Sequence, residues 1–172
     1  FLSFNLSPSQ LVDQNTGLHL LSILDRGGFD PRRLEIEITE TGLMSDPASA
    51  EKIVNDLRRC GISVALDDFG TGQSSLSRLR EFQFDKLKID RAFVSSILKD
   101  RPSEHIIRAI LAMCHGLGMD VVAEGIEEEA QADMLLRFGC GAGQGFLFGR
   151  PANAESTLAY LRKNLRPSES AA

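Results

Sequence analysis

Hydrophobic and polar positions follow two periods that take turns along the chain. Leu34-Glu35-Ile36-Glu37-Ile38 alternates strictly with period two, the pattern of a strand with two unlike faces. Ile62 to Leu66, Phe84 to Ile89, Asp120 to Ala123 and Gly141 to Phe148 read as further strands, and Phe1 to Phe4 as the end of one that stops at Asn5. The segments between them read as helices. Leu18 to Asp25 is closed by Gly27-Gly28. The next helix has Asp46 as N-cap, Pro47 in its first position, Ile53, Val54 and Leu57 on one face, and Gly61 as its stop. Ser75 to Phe82 predicts a short helix. Ser103 to Leu117 predicts a long one, with Ile106, Ile107, Ile110, Leu111 and Cys114 on one side and Gly118 at its end. Glu127 to Phe138 and Ala154 to Lys163 complete the series.

Six βα units in strict alternation predict an α/β fold with a parallel sheet and helices outside it. One polar residue falls at or near the C-terminal end of each strand: Asn5, Glu37, Asp67, Lys88, Glu124 and Gln144. Barrels of the (β/α)₈ TIM type gather functional groups from many strand ends on that face, whereas a doubly wound sheet uses fewer, at its switch point. The expectation is therefore a (β/α)₈ barrel with six of its eight units in this chain. Eight units take roughly 200 residues or more, so two are expected on the N-terminal side, from residues outside this sequence or from a second chain. Residues 1–163 are assigned to the barrel and 164–172, small and polar, to a flexible tail.

Composition narrows the partners. The 172 residues carry a net charge of -5 with 42% hydrophobic and 25% charged positions, which argues against a general nucleic-acid-coating protein, so no DNA binding is expected. No run approaches the ~18 apolar residues of a membrane span. Cys60, Cys114 and Cys140 are odd in number and scattered, which fits buried small side chains in a reducing compartment better than disulfides or zinc. A cytoplasmic domain is the expectation, with the parent open to tethering upstream. His19, His105 and His115 lack metal-ligand spacing on any one element.

The candidate chemistry centres on Leu66-Asp67-Asp68-Phe69-Gly70-Thr71-Gly72, where an apolar run ends in two adjacent carboxylates and a glycine-rich turn. Two neighbouring acids repel, and desolvating them is costly unless a positive charge sits between them. With Asn5, Glu37 and Glu124 they form a hard-oxygen donor set suited to Mg2+ or Mn2+. Two such ions about 3.5–4 Å apart can clamp a phosphodiester for in-line displacement by water. Lys88 would hold the attacking water or the developing charge, and Glu124 and Glu127 offer a base and an outer contact. The loop carrying Gly70, Thr71, Gly72 and Ser74 could meet a substrate phosphate. Singly, each feature has a plainer reading: a turn and helix cap for the Asp pair, a simple turn for the loop, a solvated strand end for Lys88, a favourable helix start for Glu127 to Glu129. Six polar residues at six successive strand ends carry the case together.

In these motifs the chain resembles the EAL family of cyclic di-GMP phosphodiesterases. The matching segments are Asn5-Leu6-Ser7-Pro8, Glu37-Ile38-Thr39-Glu40, Asp67-Asp68-Phe69-Gly70-Thr71-Gly72-Gln73-Ser74-Ser75-Leu76, Lys88-Ile89-Asp90, Ala123-Glu124-Gly125-Ile126-Glu127 and Gln144 to Pro151. The resemblance implies a modified (β/α)₈ barrel that hydrolyses cyclic di-GMP to linear pGpG with two Mg2+ or Mn2+ ions. It implies that Asn5, Glu37 and Asp67 are metal ligands, and that Asp67 and Asp68 serve the second ion with Asp67 bridging. It further implies that Lys88 binds the nucleophilic water, Glu124 is the general base, and Glu127 and Gln144 support the network. Glu40 matches the glutamate that anchors the loop from Phe69 to Ser75. A homodimer and upstream sensory or GGDEF domains are implied as partners. The Glu-Ala-Leu tripeptide that names the family is absent from this sequence; it would lie on the strand before the one ending at Asn5, and its glutamate is a metal ligand. Two other readings remain open here: a non-catalytic receptor for cyclic di-GMP, or an incomplete fragment of the enzyme, and an unrelated barrel acting on another phosphoester.

Overall fold

A computed structural model describes residues 1–13, 15–70, 79 and 81–164. Its sheet has six parallel strands: β1 (Leu2–Leu6), β2 (Leu34–Thr39), β3 (Ser63–Phe69), β4 (Lys86–Ile89), β5 (Asp120–Ala123) and β6 (Ala142–Gly143). They lie side by side in sequence order from β1 to β6. A doubly wound sheet reverses its order at a switch point, and this one does not. The arrangement is that of consecutive staves in a barrel wall, six of them, with β1 and β6 at the edges.

The helices among the described residues are α1 (Pro8–Val12), α2 (Thr16–Gly27), α3 (Glu40–Ser45), α4 (Pro47–Arg59), α5 (Arg91–Ser96), α6 (Arg101–Leu117), α7 (Glu129–Arg137) and α8 (Ala154–Asn164). Period-two alternation splits the strands into two faces. Ile36 and Ile38 of β2, Val64 and Leu66 of β3, and Leu87 and Ile89 of β4 are fully buried in the apolar core with Val54 and Leu57 of α4 and Ile107 of α6. Each such side chain contributes about 1.5–3 kcal/mol by leaving water. Ser3, Glu35, Glu37, Lys86 and Lys88 line the opposite face, along an open cleft of about 1230 Å³. At the N-terminal edge, Arg58 of α4 grips both carboxylate oxygens of Asp85, and Asp85 accepts from the backbone N–H of Val64 at 2.9 Å. That contact fixes α4 and the entry to β4 against β3.

Asp46 and Pro47 start α4 as the pattern predicts, with the Asp46 carboxylate accepting from Ser49 N–H. Other boundaries differ for local reasons. Three short helices, α1, α3 and α5, escape a search for periodicity because one or two turns hold no repeat. Each is announced by its cap: Ser7, Thr39 and Asp90 accept from the backbone N–H of Gln10, Gly42 and Ala92. The strand expected from Phe84 begins at Lys86. The strand expected over Gly141 to Phe148 shrinks to Ala142–Gly143, after which the chain turns; a run so rich in glycine has few side chains to pair. Ile106, expected on the buried face of α6, is 40% exposed. Cys114 and Cys140 are buried, but Cys60 is exposed. Glu127, expected in a helix, precedes the first turn of α7. Leu79, Glu81 and Phe82 are helical, whereas the remainder of the helix expected over 75–82, the loop residues Thr71, Gly72 and Ser74, and 165–172 of the expected tail lie outside the described residues.

Candidate metal-binding and catalytic site

The site begins with strand register. Asn5 pairs with Glu37, Glu37 with Ala65, Ala65 with Lys86, and Lys88 with Val122. Ala65 is small, so the long side chains of β2 and β4 meet across β3 on the cleft face. Lys88 Nζ donates to Glu37 Oε2 at 2.7 Å and lies 2.6 Å from Glu124 Oε1 and 3.5 Å from Asp67 Oδ1. Three carboxylates from β2, β3 and the end of β5 therefore share one ammonium that is only 5% exposed. Burial works against that charge, but the hydrogen bonds to Glu124 and Glu37 and the negative charges of Glu124 and Asp67 outweigh it. The Lys88 pKa lies above the ordinary lysine value, so Lys88 is a permanent donor and not a base.

The two adjacent aspartates meet through a break in the strand. In a regular strand, neighbours point to opposite faces. Here the β3–β4 register shifts between Leu66 and Phe69, and Asp68 adopts φ 56°, a left-handed conformation uncommon outside glycine and tolerated by aspartate. Asp67 Oδ1 accepts from the Asp68 N–H at 2.9 Å. As a result Asp67, Asp68 and Glu124 each offer a carboxylate oxygen within 4.8 Å of one another. This set of hard oxygens fits one divalent cation. Desolvation, then the charges of Asp67 and Asp90, push the Asp68 carboxyl above its usual range. Burial also raises Glu124, against the opposing pull of Lys88. Burial is the larger cause of both shifts and neighbouring negative charge adds to it, a part that a bound cation would relieve.

The remaining predicted residues spread around this centre. Gln144, just past β6, donates through Nε2 to Glu124 Oε1 at 2.5 Å. Asn5 sits on edge strand β1 with an exposed side chain, beside Glu37 in register. Glu40, at the start of α3, is buried and accepts from the Gly70 N–H at 3.4 Å, so a carboxylate tethers the described start of the loop. Glu127 does not reach the carboxylate cluster in any hydrogen bond; its partner is Arg91 of α5, at 2.9 Å. Gly125 between the two glutamates has φ 68°, and a Cβ there would fall 2.3 Å from Arg91 Cγ, so only glycine lets the Glu124–Glu127 segment pass so close to α5.

Several functional contacts were not anticipated. Gln131 is buried, accepts from the N–H of both Glu127 and Glu128 through Oε1, and donates to the Val94 carbonyl. It fastens the segment behind Glu124 to α5. The Glu-x-x-Gln spacing of a capping box, Glu128 to Gln131, was its available signal. Glu35 and Lys86, each two residues before a site residue and so on the same face, form a second ion pair deeper in the cleft.

Comparison with known proteins agrees with this geometry. The EAL domain family model matches residues 1–151. RocR of Pseudomonas aeruginosa, a cyclic di-GMP phosphodiesterase, is 40% identical over 159 residues, which are 92% of this chain and 41% of RocR. The crystal structure of the EAL domain of Mycobacterium smegmatis DcpA matches with a TM-score of 0.90 and 37% identity, over 96% of this chain and 74% of that one. The manganese and cyclic di-GMP complex of Klebsiella pneumoniae BlrP1 matches with a TM-score of 0.82 and 36% identity, over 88% of this chain and 39% of BlrP1. The chain spans between about a fifth and two fifths of the length of the first curated relatives. A sequential parallel sheet, carboxylates converging from three strands and a family match over most of the chain lead to one assignment: the chain belongs to the EAL domain family.

Proposed function

We propose that this domain is a divalent-cation-dependent phosphodiesterase that opens one phosphodiester bond of cyclic di-GMP and releases linear pGpG. The observation that carries this reading is the buried Lys88 ammonium shared by Glu37, Asp67 and Glu124, next to the clustered carboxylates of Asp67, Asp68 and Glu124. A structural ion pair needs one acid; an acid excess at a strand-end face calls for cations and polar chemistry. RocR is named a cyclic di-GMP phosphodiesterase and BlrP1 binds manganese with that dinucleotide, which supports extending substrate and metal to this chain.

In this reading Asn5, Glu37 and Asp67 would hold one Mg2+ or Mn2+, and Asp67 and Asp68 would hold a second. Bound cations supply charge neutralisation for the phosphodiester and make water more acidic. Lys88, permanently charged, orients the attacking water and offsets negative charge as the P–O bond to it forms. Glu124, whose carboxyl burial raises above its ordinary value, takes the proton of that water. Gln144 fixes the Glu124 oxygen, Glu127 secures the backbone behind it through Arg91, and Glu40 anchors the loop at Gly70, with Thr71, Gly72 and Ser74 as the residues that would meet a substrate phosphate. A homodimer, upstream sensory or GGDEF domains, and further βα units that close the barrel and bring the Glu-Ala-Leu ligand belong to the same reading.

The test is incubation of the full-length protein with cyclic di-GMP and Mg2+ or Mn2+, with pGpG followed by chromatography. Metal-dependent product that disappears in Asp67→Ala is expected. Product formed equally by Asp67→Ala, or none from the unsubstituted protein, would sink the assignment. Asp68→Asn separates enzyme from receptor: it abolishes the turnover of an enzyme and leaves the dinucleotide affinity of a receptor nearly unchanged.

A further inference from the structure

We propose that Ser3 is a positioning residue that sets the orientation of the Glu37 carboxylate and thereby the affinity of the site for a divalent cation; this rests on the reading of Glu37 as a ligand. Ser3 lies two residues before Asn5 on β1, so both side chains leave the strand on the cleft face. Its register neighbour is Glu35, but the Glu35 carboxylate is engaged by Lys86. The Ser3 hydroxyl reaches one pleat further and donates to Glu37 Oε1 at 2.6 Å. Lys88 donates to the other oxygen, Glu37 Oε2, at 2.7 Å.

Each oxygen of Glu37 therefore has its own donor, one from β1 and one from β4. A glutamate side chain has three rotatable bonds, and a single donor leaves the carboxylate free to rotate about its last one. Two donors from opposite sides fix that plane. Partners that orient ligating carboxylates in this way are worth about 10–100-fold in metal affinity. The Ser3 hydroxyl bonds Glu37, so its effect on the cation passes through that carboxylate.

The experiment is calorimetric titration of the full-length protein with Mn2+, without nucleotide, for Ser3→Ala, Ser3→Thr, Glu37→Gln and the Ser3→Ala/Glu37→Gln double variant. The metal-free melting temperature of each is measured alongside. Ser3→Ala is expected to weaken Mn2+ binding about 10-fold or more. Ser3→Thr, which keeps the hydroxyl and suits a strand, restores it. In the Glu37→Gln background Ser3→Ala adds nothing. A Ser3→Ala variant that binds Mn2+ normally, while Glu37→Gln does not, overturns the positioning role and leaves Glu37 as a ligand. Normal Mn2+ binding by Glu37→Gln overturns the ligand reading and the role of Ser3 with it. A lowered metal-free melting temperature with unchanged Mn2+ affinity reduces Ser3 to holding β1 against β2, which also overturns the proposal.

Discussion

The cleft face of the sheet carries two layers of charge, one residue pair apart, and they are built on opposite principles. In the deeper layer Glu35 meets Lys86, one acid to one base. In the layer nearer the strand ends, Lys88 meets Glu37, Asp67 and Glu124, with Asp68 beside them. The strands, the face and the residue types are the same; only the balance differs. A one-to-one pair satisfies itself and can be exchanged for apolar packing without loss. A three-to-one cluster keeps an excess of negative charge, which adds to burial in raising the carboxyls of Asp68 and Glu124. The deeper layer is thus a closed ion pair and the outer layer a donor set suited to a divalent cation.

The largest expected effect breaks this comparison at its lysines. Lys88→Met removes the ammonium shared by Glu37, Asp67 and Glu124 and, with chelator present, should cost about 3–5 kcal/mol in urea unfolding. Turnover should vanish. Lys86→Met strands a single carboxylate and should cost less. The paired change Glu35→Leu with Lys86→Met should be neutral or stabilise by about 1–4 kcal/mol while turnover persists. Equal unfolding losses for the two lysines, or a dead Glu35→Leu/Lys86→Met protein, would erase the distinction between the layers.

A smaller effect tests the acid excess directly. Asp67→Asn removes one of the carboxylates around Lys88, so the metal-free protein should melt at the same or a higher temperature. Mn2+ at 100 times its dissociation constant stabilises a binding-competent fold by about 2.7 kcal/mol, and Asp67→Asn should lose most of that gain. Thermal melts with and without Mn2+ give both quantities. A variant that keeps the full metal-induced shift would place the cation away from Asp67.

What the sequence discloses here follows from what period two encodes. Alternation in Leu34 to Ile38 states which residues share a face, so Glu37 and its counterparts on other strands could be gathered before any coordinate was known. Alternation with helices predicted a parallel sheet, and the polar residues at six strand ends favoured the barrel over a doubly wound order. The bulge at Asp68 was not legible, because a positive φ at a non-glycine residue is imposed by register with β4 and not by local preference. For the same reason Asp67 and Asp68 read as the end of a strand when they lie within it. Glu127 was placed in a helix since three acids suit a first turn; the Gln131 side chain instead takes the N–H groups of Glu127 and Glu128 and delays the start of α7. Ser3 was hidden by its ordinariness: only the distance to Glu37 distinguishes it from any other serine on an edge strand.

The smallest expected effect is a slope, and its sign separates an empty outer layer from a filled one. Asp68 and Glu124 have folded pKa values raised above their unfolded ones. Their contribution to stability is therefore complete below the ordinary carboxylate pKa of about 4 and is lost as pH rises through the elevated folded values. The cap residues Asp46 and Asp100 work the other way. Hydrogen bonds from Ser49 and Ser103 lower their pKa values, so their contribution is present at higher pH and lost as pH falls through the lowered values. Lys88 stays charged across this window and adds no slope. Subtracting the urea midpoint of Glu124→Gln from that of the unsubstituted protein isolates the outer layer. In chelator, the difference should fall as pH rises from about 4 toward neutral. With saturating Mn2+ the same difference should rise instead, because a cation held by Asp67 and Asp68 beside Glu124 favours its charged form. Slopes of one sign in both conditions would mean that no cation is held beside Glu124.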